Sequence, residues 1–268
     1  MSGKQARRLR QQAAAPPPVA QKGERRRASP KVLVGVAVVG LALAGAAVGI
    51  ALAFGGTSSS SSGTLPKIGT LTNALPGAAD VQRELRGIPQ HGTFLGSSKA
   101  TVRMIEYIDI QCSSCRVFET ETMPSVFQRY VRTGKVRVEA RPIVAIGRDS
   151  ERGVLGSLAA ARQNRLFNFA QLLYFNQGTE NGGWLTNSIV DSAAGSIPGL
   201  DVQAFKQARE SSAATAQAKR LETEATADHV TGTPTVYVGK VDGKLHEVSP
   251  GLVPDVSTLS AALDGALQ

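Results

Sequence analysis

The sequence predicts an α/β protein with a single transmembrane helix and an outer domain whose elements run βαβ, helical insert, ββα. Three observations carry this. Val32 to Phe54 is a run of 23 uncharged residues, which as a helix reaches about 35 Å and can cross a hydrocarbon core of about 30 Å. Two β-branched, apolar runs, residues 101–110 and 135–141, flank a helical pattern. The only two cysteines, Cys112 and Cys115, stand where the first run turns into that helix.

The span explains the charge. Of the net +9, residues 1–31 hold nine basic side chains and one acid, for +8, while residues 32–268 are nearly neutral at +1. A basic surface for nucleic acid is therefore excluded from the folded part. Residues 1–31, with Pro16-Pro17-Pro18 and Arg25-Arg26-Arg27, are expected to be a disordered cytoplasmic tail. The positive side precedes the span, so the N-terminus is expected in the cytoplasm and everything past Phe54 outside it, in a single-pass cell-membrane protein. Ala51-Leu52-Ala53 resembles a signal-peptidase site, and the arginine triplet resembles a twin-arginine export signal. The apolar run nevertheless exceeds the roughly 7–15 residues of a signal core, which favours an uncleaved anchor at 32–54. Gly45 and Gly49 form a GxxxG pair, a pattern that arises readily by chance in Gly/Ala-rich spans. Residues 55–64, Gly/Ser-rich, are a flexible linker, and the outer domain is expected over 65–268.

Along that domain, residues 78–86 suggest a short helix and 87–99 a loop. The strand at 101–110 holds one acid, Glu106, inside an apolar run, which marks it as buried. In the helix after Cys115, Val117, Phe118, Met123, Val126, Phe127 and Val131 supply apolar positions; Pro124 should bend or restart it, and Gly134 should end it. The second strand alternates Val136, Val138 and Ala140 with Arg137, Glu139 and Arg141, the signature of a half-buried strand. A helical insert follows, over about 147–226, with Asp201 capping a second long helix through Val202, Phe205, Ala208 and Leu221. Two short strands around Asp242-Gly243 and an amphipathic helix through Val256, Leu259, Leu263 and Leu267 complete the chain.

The cysteine pair admits three readings. A structural disulfide closing four residues contributes only about 1.9 kcal/mol in the chain-entropy picture, against about 3 for fifteen. A metal site needs more ligands than two thiolates, and His91, His229 and His246 are far apart in sequence with no ligand spacing. The third reading is thiol–disulfide exchange: a helix N-terminus offers free N–H groups that stabilise a thiolate at Cys112, with Cys115 one turn further in. The position of the pair after a buried strand, outside the cytoplasm, favours this last reading.

Several segments together resemble the DsbA-like branch of the thioredoxin superfamily. They are Ile105 to Gln111 leading into Cys112, Gly87-Ile88-Pro89-Gln90 with Leu95-Gly96, Arg141-Pro142-Ile143, Leu173-Tyr174, Trp184-Leu185-Thr186, and Gly232-Thr233-Pro234-Thr235. The resemblance implies a thioredoxin-like fold with a helical insertion. It also implies that Cys112 is the nucleophile, Cys115 the resolving cysteine, and Glu106 a buried acid that moves protons to and from Cys115. Pro234 would be cis and opposite the cysteines, with the Thr233 backbone binding an extended substrate. Asp109 is expected to be a polar residue near the strand end, and His229 a loop residue without a role.

By the same resemblance no cofactor is needed beyond the Cys112–Cys115 disulfide. Exported cysteine-containing proteins would be the clients and a membrane quinone-linked thiol oxidase the redox partner. Alternative readings on the same fold are a disulfide reductase or isomerase, or a non-enzymatic module binding a metal or a partner. Ser113-Ser114 stands where the best-known oxidases carry a Pro-His type pair, so Cys112 lacks a neighbouring imidazole. A thiolate less stabilised than at the strongest oxidants, and a potential below about −120 mV, are expected.

Overall fold

The computed structural model describes residues 65–268; the tail (1–31), the membrane span (32–54) and the linker (55–64) expected from the sequence lie outside the described residues. Among the described residues no helix is long and apolar enough to cross a membrane.

Helix α1 (Ala78–Leu85) buries Val81 and Leu85. The segment expected to be a loop then forms a small hairpin, β1 (Gln90–His91) and β2 (Phe94–Leu95), turning at Gly92 with φ +58°. Strands of two residues carry no readable alternation, which is why the pattern missed them. Strand β3 (Val102–Ile108) is buried along nearly its whole length, as an apolar run covered on both faces must be. Val102, Met104 and Ile108 face one core, and Ile105 and Tyr107 face the other.

The helical stretch after β3 is built in four pieces: α2 (Ser113–Val117), a π turn (Phe118–Thr122), α3 (Met123–Val126) and a second π turn (Phe127–Val131). Pro124 lies in the first turn of α3, where its missing N–H costs nothing, so the helix restarts there as expected. Gly134, at φ +76°, follows the helix end. Strand β4 (Val136–Pro142) pairs parallel with β3, from Val102↔Val136 to Ile108↔Pro142.

Five helices then lie between β4 and the last strands: α4 (Ser150–Ala161), α5 (Leu166–Phe175), α6 (Asn187–Gly195), α7 (Val202–Arg209) and α8 (Ser212–Ala227). Asp201 caps α7 by accepting from the Ala204 N–H at 2.9 Å. The single long helix expected from Asp201 onward is broken, because Ser211 starts a new helix by accepting the Ala214 N–H at 3.2 Å. Strands β5 (Thr235–Lys240) and β6 (His246–Val248) form an antiparallel pair, and α9 (Val256–Leu267) closes the chain.

The sheet order is β1-β2-β4-β3-β5-β6, with β3–β4 its parallel pair and β5 antiparallel to β3. One face packs against the helices after β3 and α9, through Phe118, Phe127, Leu259 and Leu263. The other is covered by α4 and α8, through Val154, Leu158, Leu221 and Ala225. This second cover corrects the half-buried reading of β4. Its polar face lies beneath the insert, and Glu139 is 8% exposed. There Glu139 pairs with both Arg103 and Arg141. Arg141 also donates to the Tyr107 hydroxyl at 2.6 Å and reaches Asp228 at 3.3 Å. Buried charges persist when they have partners, as Glu139 and Arg141 do here.

Candidate active site

The C-terminal end of β3 delivers the chain to a turn fixed by Asp109. This carboxylate, fully buried, accepts the Gln111 N–H at 2.8 Å and the Ala145 and Ile146 N–H groups at 2.7 and 2.8 Å. It thereby ties the cysteine turn to the loop after β4. Asp109 is thus a structural brace, in keeping with its expected place near the strand end.

Cys112 is the N-cap of α2, its sulfur accepting the Cys115 N–H at 3.4 Å. Both cysteines are free thiols, Cys115 wholly enclosed and Cys112 4% exposed. The Thr233–Pro234 peptide is cis, and the Thr233 carbonyl lies 3.1 Å from the Cys112 sulfur. Residues separated by 121 positions are thus brought together by β3 and β5 pairing side by side. Hydrogen bonding from Cys115 leads in pulling the Cys112 thiol down to about 6; burial opposes it, and Thr233 with the Cys115 and Ser114 amides adds to it. That lies well above the roughly 3.5 of the strongest oxidant, as the absence of an imidazole led us to expect. Cys115 is pushed the other way by burial and by its bond to Cys112. The two thiols are therefore differentiated into an ionisable outer one and a neutral inner one.

Glu106 is 1% exposed and shares the β3 face of Val102, Met104 and Ile108, the face toward the cysteine helix. One of its carboxylate oxygens has no hydrogen-bond partner, and burial, then the charge of Glu119, raises its pKa well above the ordinary value. Glu119 was not singled out in the sequence. It is 2% exposed, accepts from Gln171 at 2.6 Å, and is pushed up to about 8 by burial and by Glu84. Its position four residues after Cys115 was the available signal, since that spacing returns to the same helix face.

The site opens into a groove of about 600 Å³ lined by the cysteine turn, Ile143 to Ile146, and Val230 to Thr233. Its charged wall residues are Glu180 and Glu222, and no histidine lines it. The loop between α5 and α6, also missed in the sequence, closes one end. Gln177 donates to the Ile110 and Cys112 carbonyls at 2.8 and 3.1 Å, and Glu180 accepts the Ser113 N–H at 2.6 Å. His229, at φ +57°, is an exposed loop residue.

Two ionically distinct thiols at a helix start, with a cis-proline loop from the neighbouring strand beside the outer one, form an arrangement that can carry out thiol–disulfide exchange. Residues 90–249 match the family model described as "Thioredoxin", and the chain belongs to the thioredoxin family as a DsbA-like thiol–disulfide oxidoreductase. Its relatives include the Bacillus cereus protein named "Probable disulfide bond formation protein D", 27% identical over 177 residues, covering 65% of this chain and 78% of that one. Oxidised BdbD from Bacillus subtilis is structurally similar, with a TM-score of 0.58, 19% identity, and coverage of 67% of this chain and 97% of that one. Chlamydia trachomatis DsbA gives a TM-score of 0.55 at 19% identity, covering 65% and 90%.

Proposed function

We propose that this protein is a membrane-anchored donor of disulfides to exported cysteine-containing proteins, acting through Cys112 and Cys115. The observation that carries the reading is the split between the two thiols, with the outer one held near 6 and the inner one raised. The name of the Bacillus cereus relative, a disulfide bond formation protein, supports the donor direction.

In the cycle, a client thiolate attacks the Cys112 sulfur of the oxidised pair. The Cys112–Cys115 bond breaks, and Cys115 leaves and takes a proton from Glu106, which burial keeps protonated. The client's second thiolate then attacks the client sulfur of the mixed disulfide, and Cys112 leaves as a thiolate. Two electrons have passed from the client to the pair. The Thr233 backbone pairs with the extended client segment beside cis Pro234. A membrane quinone-linked thiol oxidase reoxidises the pair, and the span at 32–54 keeps the domain extracytoplasmic beside it. The pair itself is the redox group, without a further cofactor.

Trapping tests exchange, and the potential tests its direction. The Cys115→Ser variant is expected to accumulate mixed disulfides at Cys112, and the wild-type full chain in detergent to titrate above about −200 mV in glutathione buffers. No adducts would overturn exchange. A potential near about −270 mV would replace the donor with a reductase.

A further inference from the structure

Sulfur and carboxylate divide the donors at one helix start. The Cys115 N–H points to the Cys112 sulfur at 3.4 Å, whereas the Ser113 N–H, on the residue bonded to Cys112, is taken by Glu180 at 2.6 Å. Glu180 does not hang there from a free loop. Gln177, three residues earlier, is anchored on the Ile110 and Cys112 carbonyls. Asn181, the next residue, donates its N–H to the Gln111 side chain at 3.2 Å, and Gln111 is itself buried and held by the Ser150 hydroxyl at 3.0 Å. The attachments of Gln177 and Asn181, on either side of Glu180, thus hold its negative charge at the residue next to the nucleophile.

We propose that Glu180 is a positioning residue that sets the redox potential of the Cys112–Cys115 pair, by engaging a helix-start amide and holding a negative charge beside Cys112. Both effects act in one direction. In the disulfide state Cys112 is neutral and Glu180 costs nothing. In the reduced state Glu180 repels the thiolate and neutralises one of the helix-start N–H groups whose positive end would favour it, so the reduced form is disfavoured and the protein is a milder oxidant. The other titratable or charged groups around Cys112 are Cys115 and Arg116 on its own helix, Asp109 in the turn before it, Tyr174 on α5, Glu222 across the groove, and Glu106 and Glu119 in the core behind; among the groove-lining residues none is basic to cancel Glu180. Glu180 is held below the ordinary carboxylate range by its bonds to Ser113, so it stays charged wherever Cys112 ionises.

The inference rests on Cys112–Cys115 being the redox pair, and the test separates the two. In the full chain, the thiolate is titrated by ultraviolet absorbance and the potential measured in glutathione buffers, for wild type, Glu180→Gln and Glu180→Lys, with Cys112→Ser as the reference. At a separation of a few ångströms in largely aqueous surroundings, removing one charge is expected to raise the thiolate ionisation constant about three- to tenfold. The same factor in the redox equilibrium is about 15–30 mV toward the oxidising side, at 29.6 mV per decade. Glu180→Lys is expected to shift both quantities further in the same direction, and high salt to shrink both shifts. A helix cap of purely structural value predicts no such ordering, because glutamine still accepts the Ser113 N–H. Coincident titrations and potentials for all three proteins would overturn the role of Glu180. A wild-type thiolate signal that survives in Cys112→Ser would instead overturn the assignment of the pair.

Discussion

A buried carboxylate without a full set of partners is an unusual expense for a fold, and this domain keeps two on one side of its sheet. Glu106 and Glu119 each leave an oxygen unpartnered, and burial holds both pKa values up. The sign of the consequence is fixed. An acid whose folded pKa is raised lets the folded state be fully stable below its unfolded value near 4.5, and drains stability as pH climbs toward the folded value, about 8 for Glu119. Glu119→Gln, which can still accept from Gln171, is expected to match wild type in urea unfolding at pH 4. At pH 8 it should exceed wild type by on the order of 2–4 kcal/mol. Equal stability at both pH values would show that Glu119 ionises without strain.

Among the elements outside the cysteine helix, α4 bears on the site through its sequence. It is rich in small residues, and Gly153 lies where a Cβ would come within 2.7 Å of the Ile110 Cβ, two residues before Cys112. Gly156 on the same helix would meet the Phe169 ring at the same distance, inside the insert. Both Gly→Ala changes are expected to destabilise by about 1–3 kcal/mol through overpacking. Only Gly153→Ala should also alter the alkylation rate of Cys112, because only it pushes on the cysteine turn. Equal rates in the two variants would detach α4 from the site.

What was legible at this scale follows from length and locality. Strands β3, β4 and β5 announce themselves by alternation or by apolar runs, and the Cys-x-x-Cys turn by its place after one of them. The β1–β2 hairpin is too short to show a period, and the break at Ser211 hides inside a continuous helical pattern. Glu180 and Gln177 were invisible for another reason: they reach the cysteines from more than sixty positions away, through a loop whose course no local pattern encodes.

At the scale of the whole molecule, charge is segregated. Nearly all the net charge sits in residues 1–31, ahead of an uncharged run, and the domain that carries the chemistry is close to neutral. The full chain is expected to stay with the membrane after an alkaline wash, and a chain beginning at Leu65 to appear in the soluble fraction. Release of the full chain by that wash would remove the anchor from the proposal.

The sheet order has a consequence in time. Strand β3 is flanked by β4, which follows it directly, and by β5, which begins only at Thr235. A chain emerging N-terminus first must therefore complete the whole insert before its central strand can be closed on the second side. Until β5 arrives, the nascent domain presents an unpaired apolar edge, the kind of surface that chaperones or export machinery must shelter. The residues that seal that edge also bring Thr233 to Cys112, so the thiol meets its cis-proline loop only after the whole insert has been made.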